Sequence, residues 1–186
     1  AHAAGLVCLS ACLGGEVSQH LLHDRYDEAK KAAERYRDIF GGDFYLELQD
    51  HGLIEQKQVN RQMIRLAQET GIPLVATNDV HYIRHEDHAV QDILICIGTG
   101  KTLEDEGRLK FHTQQMYLKS GEEMASLFPH VPEALENTAR IAARCELDLE
   151  LGRAILPEFR PLPDGLDAEA HLRDLCREGV LERYGG

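Results

Sequence analysis

Along the first half of this chain, short apolar runs alternate with stretches whose apolar residues recur every three to four positions. Leu6–Leu9 reads as a buried strand and is followed by the turn-rich ACLGGE. Ala29, Ala32, Ala33, Tyr36, Ile39 and Phe40 mark one face of a helix that Gly41 and Gly42 stop. FYLEL (44–48) alternates as a strand, with Phe44, Leu46 and Leu48 on one side and Tyr45 and Glu47 on the other. Val59, Met63, Leu66 and Ala67 give a second helical face ended by Gly71, and PLVAT (73–77) is the next buried strand. Strand, helix, strand, helix, strand predicts a parallel sheet with crossover helices. In such sheets functional residues collect just beyond the C-terminal ends of the strands. Cys12 follows the first strand, Gln49, Asp50 and His51 the second, and Asp79 and His81 the third.

From about residue 84 the pattern becomes helical. His85–Ile97 carries Val90, Ile93, Leu94 and Ile97 as an apolar stripe, and MYL (116–118) fits a short edge strand. Ser120 followed by Glu123 is a capping box that opens a short helix through Phe128. Val131, Leu135, Thr138, Ala142 and Cys145 line a longer helix. LPEFRPLPDG (156–165), with three prolines, reads as a linker or domain junction. Ala168, Leu172, Leu175 and Cys176 then predict a final helix. There is no internal repeat and no low-complexity tract.

The 186 residues suffice for one domain and part of a second, and 43% apolar with 28% charged residues is ordinary for a soluble globular protein. No apolar run approaches the ~20 residues of a membrane span. The five cysteines are odd in number and widely spaced, which reads as reduced thiols in a cytosolic protein. The net charge of −12 repels phosphate backbones and argues against a broad nucleic-acid groove on this stretch. The chain lacks an initiator Met and enters a strand-like run almost at once, so a fragment of something longer is expected.

VATNDVHY (75–82) ends an apolar run by placing Asp79 and His81 two apart. If strand geometry persists past Thr77, both side chains face one point. One reading is a turn in which Asn78 or Asp79 caps the next segment with His81 packed at its edge. The other is a metal clamp, since carboxylate oxygen and imidazole nitrogen suit zinc, manganese or iron. Cys12 reads either as a small buried hydrophobe or as a strand-end ligand beside two glycines. Glu47 faces a rim or solvent, and His51 belongs to the turn before the helix at Leu53. His20 with His23, and His85 with His88, have i, i+3 spacing but no third ligand nearby, and read as solvated helix faces. No Gly-rich phosphate loop, Ser-His-Asp order or zinc-ribbon spacing occurs.

LSACLGGEV, YLELQDHG, GIPLVATNDVHY, LKFHTQQMYL, SGEEMASLF, PEALENTARIAARCEL and LPEFRPLPDG occur here in fixed order. Together they closely resemble the alpha subunits of bacterial DNA polymerase III, the replicative polymerases, over essentially the whole chain. The resemblance begins midway through the family's N-terminal PHP (polymerase and histidinol phosphatase) domain and ends just inside the polymerase core. It implies an α/β fold, part of a distorted (β/α)7 PHP barrel over residues 1–156. A junction and the start of the polymerase core, helical and leading into the palm, would occupy 157–186. Family motifs carry over Cys12, Asp79 and His81 as ligands of a divalent metal, zinc or manganese. The family's earlier ligands and its magnesium-binding palm aspartates have no counterpart in this sequence.

The resemblance further implies a DNA-directed DNA polymerase in the cytoplasm, acting on DNA primer-template with a sliding clamp and an exonuclease subunit, and not on a membrane. Its PHP region would be a metal-dependent phosphoesterase able to excise 3′-terminal nucleotides, incomplete and without catalytic residues of its own in this chain. Two rivals stand beside it: a structural or exonuclease-docking PHP platform, and a free-standing PHP phosphatase. The proline-rich junction and the helices after residue 120 count against the second.

Overall fold

A computed structural model describes residues 2–185, and the chain divides into two units, Ala1–Glu146 and Leu147–Gly186. The first unit opens with strand β1 (Cys8–Leu9), helices α1 (Glu16–Leu22) and α2 (Tyr26–Phe40) and strand β2 (Phe44–Leu48). Helix α3 (Ile54–Thr70), strand β3 (Leu74–Ala76), α4 (His88–Thr99), α5 (Gly121–Leu127) and α6 (Pro132–Arg144) follow.

The three strands are parallel in the order β1-β2-β3, with Cys8 opposite Phe44, Leu46 opposite Leu74 and Leu48 opposite Ala76. Sequential parallel strands joined by right-handed crossovers place their helices on one face of the sheet. That face is the core: Phe44, Leu46, Leu48, Leu74 and Ala76 pack with Val17 and Leu21 of α1, Ala29 to Ala33 of α2, and Met63 and Leu66 of α3. Phe128, Val131 and Ala134 close it from the α5–α6 end. Each fully buried Leu here contributes ~1.5–3 kcal/mol relative to exposure.

The alternating and helical periods therefore locate β2, α2 and α3 correctly. Gly71 ends α3 with φ +69°, a left-handed conformation that costs a Cβ-bearing residue energy, while its N–H donates to Ala67 O at 2.8 Å. The capping box forms as expected: Ser120 N–H donates to Glu123 Oε2 at 2.7 Å and Glu123 N–H to Ser120 Oγ at 3.2 Å.

Four expectations need correction. The strand read over Leu6–Leu9 shortens to Cys8–Leu9, and Leu6 is exposed. MYL contributes one bridge, Tyr82 to Tyr117, rather than a strand. The helix read over His85–Ile97 runs instead over His88–Thr99, and its stripe of Val90, Ile93, Leu94 and Ile97 is exposed, with Cys96 the buried residue of that helix. The buried face of α6 runs through Ala134 and Asn137, with Ala142 and Cys145 exposed. Asn137 is polar and so falls outside the apolar period of the helix. Its Nδ2 donates to Leu74 O at 2.7 Å and Thr138 Oγ1 donates to Ala76 O at 2.7 Å, so two side chains of α6 cover carbonyls on the free edge of β3.

The second unit holds α7 (Ala168–Tyr184), capped by Asp167, whose Oδ1 accepts from Ala170 N–H at 2.8 Å. The proline-bearing segment before it has no regular element. No described helix is long and apolar enough to cross a membrane.

Candidate metal and strand-end site

The three strands end side by side, and their polar residues converge on Glu47. Although it sits on the side of β2 away from the leucines, Glu47 is only 9% exposed, which excludes the solvent-facing reading. Its Oε2 accepts from Ala11 N–H at 3.0 Å, beyond β1. Its Oε1 accepts from Gln49 Nε2 at 3.0 Å and from the Thr77 hydroxyl, beyond β2 and β3. The N–H of Glu47 donates to Ser10 Oγ at 2.8 Å. A carboxylate is the side chain that can serve this many donors at once.

A second cluster joins the ends of β2 and β3. His51, 3% exposed, bonds through Nε2 to Asn78 O at 2.9 Å. A carbonyl only accepts, so Nε2 carries the proton and Nδ1 accepts from Gln56 Nε2 at 2.9 Å. Burial lowers the imidazole pKa below its ordinary value; the Asn78 carbonyl opposes this, and the Lys119 charge adds to it. Asn78 donates to Gln115 O at 3.1 Å and Tyr117 O at 2.6 Å. Lys119 donates to Asn78 Oδ1 at 3.3 Å and to Gln115 O, and lies over the Tyr117 ring at 4.1 Å. Its pKa is lowered by burial first of all.

Asp79 and His81 do come together, but not by strand alternation. The strand stops at Ala76, and Asp79 has φ +44°, so a left-handed turn brings the pair together. His81 Nδ1 donates to Asp79 O at 2.6 Å and lies 3.8 Å from Asp79 Oδ1. That fixes Nε2 as the imidazole's free lone pair. The ring meets Phe111 edge-on at 4.6 Å.

Cys12 is exposed and lies on the other side of Glu47, in a tightly wound loop where Ala11 also has positive φ, +65°. A Cβ on Gly15 would collide with Ser10 O, so the glycine is required there. Cys12, Glu47 and Gln49 line a cavity of about 10 Å³, enough for one water at most. Gln49 Oε1 is buried without a hydrogen-bond partner among the described residues.

The donors present therefore fit a divalent ion in kind: a thiol, a carboxylate and an imidazole nitrogen, with a buried orphan oxygen beside the thiol. They do not make a closed shell. Among the described residues no three His, Cys, Asp or Glu side chains form a group able to hold a metal. His23 and His88 each bond through Nδ1 to a nearby main-chain carbonyl, at 2.8 and 2.9 Å, while the Nδ1 of His20 is buried, which corrects the solvated reading for that residue.

The residues that sequence reasoning undervalued are Glu47 and His51. The available signal was weak: a carboxylate inside FYLEL, a strand whose five residues all prove buried, could only be stable there with several donors. A larger open groove of about 700 Å³ runs between α4 and residues 110–115, lined by Tyr82, His88, Asp92, Phe111 and His112. Asp92 is engaged there by Arg108 through two hydrogen bonds of 2.6 and 2.7 Å, which lower its pKa.

Polar strand ends on a parallel sheet agree with the class found by comparison: residues 1–51 match the PHP domain family. Beyond that class, the chain is 48% identical over 184 residues to DNA polymerase III subunit alpha of Treponema pallidum (strain Nichols), covering 98% of this chain and 16% of the relative. It is 43% identical over 184 residues to the same subunit of Borreliella burgdorferi, again 98% of this chain and 16% of the relative. With the Thermus aquaticus subunit it shares 41% over 189 residues, 98% of this chain and 15% of the relative. The resemblance read from the motifs is thus shown along nearly the whole chain: its relatives are DNA polymerase III alpha subunits, and a PHP domain match lies at its start. The chain spans about a sixth of the length of these relatives.

Proposed function

We propose that this chain is a portion of a replicative DNA-directed DNA polymerase. Residues 1–156 would be the C-terminal part of its PHP domain, in a distorted (β/α)7 barrel, and 157–186 the start of the polymerase core. The observation that carries the reading is the 48% identity to a DNA polymerase III alpha subunit over 98% of the chain. The polymerase chemistry, with its magnesium ions, belongs to residues outside this sequence. So do the grips on primer-template DNA, the sliding clamp and the exonuclease subunit, and the setting is the cytoplasm. The test is the sequence that follows residue 186 in the gene. A carboxylate-rich palm motif there, with magnesium-dependent primer extension by the encoded protein, is the expected result. An open reading frame that stops without one would turn the reading toward a free-standing PHP phosphatase.

Within the PHP portion, Cys12, Asp79 and His81 would hold a divalent ion, zinc or manganese, together with ligands outside this sequence. Such an ion, when bound, supplies an activated water and a counter-charge for a departing 3′ oxygen. The residues of this chain orient that site: His81 is held by its Nδ1–H bond to Asp79 O, leaving Nε2 free. Asp79 is held by the turn that Asn78 anchors through Gln115 and Tyr117. A second reading, a structural or exonuclease-docking platform, draws support from one observation. The three strand ends are fastened to each other by protein hydrogen bonds of Glu47 and His51.

A further inference from the structure

We propose that Glu47 is a positioning residue, its single carboxylate setting the separation between the loop that bears Cys12 and the loop that bears Asp79. The inference rests on the metal reading above only for what the two loops hold; the tie itself is a matter of geometry. Oε2 takes the N–H of Ala11, one residue before Cys12, at 3.0 Å. Oε1 takes the hydroxyl of Thr77, two residues before Asp79. Gln49 completes a ring by donating to Glu47 Oε1 at 3.0 Å and to Thr77 Oγ1 at 3.3 Å. The N–H of Glu47 also donates to Ser10 Oγ at 2.8 Å, so the same residue grips the first loop twice.

Two features show that the tie works on the loops rather than only filling the sheet. Ala11 and Asp79, the residues next to or at the candidate ligands, both hold positive φ, at +65° and +44°. A non-glycine residue keeps that conformation only when its surroundings over-determine it. Glu47 supplies such a constraint one residue from Cys12 and two from Asp79. A strand that needed only a buried polar residue would be served by Thr or Gln, but neither offers two acceptor oxygens to donors on opposite sides. Metal ligands on separate loops need this kind of support, because an outer partner fixes their placement before the ion arrives.

The experiment uses the full chain, with Glu47→Gln and Thr77→Val. A glutamine keeps its oxygen where Gln49 and Thr77 both donate and turns its NH2 toward Ala11 N–H, donor against donor. Amide hydrogen exchange at Ala11 should quicken about fivefold, the scale of one lost hydrogen bond. Thr77→Val should instead quicken exchange around Asp79 and leave Ala11 as it was. Cobalt(II) serves as the ion probe, since thiolate ligation by Cys12 gives a sulfur-to-cobalt absorption band that Cys12→Ser removes. Glu47→Gln should weaken cobalt binding about tenfold and diminish the band while the chain still melts cooperatively. Unchanged Ala11 exchange in Glu47→Gln, or unchanged cobalt affinity and band, overturns the proposal. If the longer polymerase, which would supply the remaining ligands, also shows no cobalt band and Asp79→Asn alters nothing there, it is the metal reading that fails. The exchange rates at Ala11 and around Asp79 then decide the tie by themselves.

Discussion

The Nε2–H of His51 donates to the carbonyl oxygen of Asn78 at 2.9 Å, joining the turn after β2 to the turn after β3. Gln56 fills Nδ1 at 2.9 Å, so the neutral ring has a partner at each nitrogen and the protonated ring would face a donor. Burial lowers the folded pKa below the ordinary 6.5. As pH falls, the unfolded chain therefore takes up the proton first. The stability that His51 contributes is complete above about 6.5 and is lost as pH drops from there toward the lower folded value. Urea unfolding at pH 7.5 and pH 5.5 should show a larger loss for the unsubstituted chain than for His51→Gln. An equal loss in both would mean the buried imidazole does not titrate differently on unfolding.

The free edge of β3 gives a second expectation. Asn137→Leu removes the donor to Leu74 O and leaves a buried carbonyl unpaired, at a cost of about 1–3 kcal/mol. Thr138→Val removes the donor to Ala76 O at a more exposed helix position, and about 1 kcal/mol is expected. The urea midpoint of each variant reports the loss directly. An Asn137→Leu chain as stable as the parent would show that the edge carbonyl finds another partner.

How much of this was legible depended on the range of the interactions. FYLEL, the α3 stripe with its Gly71 stop, and the Ser120–Glu123 box are set by neighbours a few residues away, and each was readable from its period or spacing. Asp79 and His81 approach each other through a left-handed turn rather than by strand alternation, and a positive φ at a non-glycine residue leaves no clear trace in sequence. Glu47 and His51 were undervalued because their partners lie far off: 36 residues for Ala11, 30 for Thr77 and 27 for Asn78. The α4 stripe shows the opposite failure, since a helical period identifies an apolar face without saying whether this chain covers it.

Metal binding should be weak in this chain and strong only where further ligands are supplied. After dialysis against zinc or manganese and then metal-free buffer, elemental analysis should find well below one ion per chain. A stoichiometric, retained ion would show that side chains such as His51 serve as ligands after all. In the longer polymerase proposed above, Asp79→Asn keeps the shape of the turn and removes the charge that offsets a cation. Metal content and any 3′ excision should both fall, by about 10–100-fold if the carboxylate is a ligand. An excision rate equal to that of the unsubstituted enzyme would remove Asp79 from the ligand set.

Binding to DNA by this chain alone should be negligible at physiological salt. The net charge is −12, and each phosphate contact must be made by a cation that is free to leave its protein partner. In the first unit Arg140 is engaged with Glu136 at 2.9 Å and Arg144 with Asp43 at 2.5 Å, and in the second unit Arg153 is engaged with Glu150 at 3.1 Å. Exposed pairs of this kind are individually weak, so the argument lies in the surrounding excess of carboxylates rather than in the pairs themselves. Titrating labelled primer-template at about 150 mM salt, where screening acts beyond ~8 Å, should show no saturation in the micromolar range. Repeating the titration at lower salt separates the remaining possibilities. Submicromolar affinity that falls steeply with added salt would reveal a basic face, and Arg140→Glu and Arg144→Glu would then be expected to abolish it. Affinity that ignores salt would point instead to base stacking in the groove beside Phe111, and would be tested by Phe111→Ala.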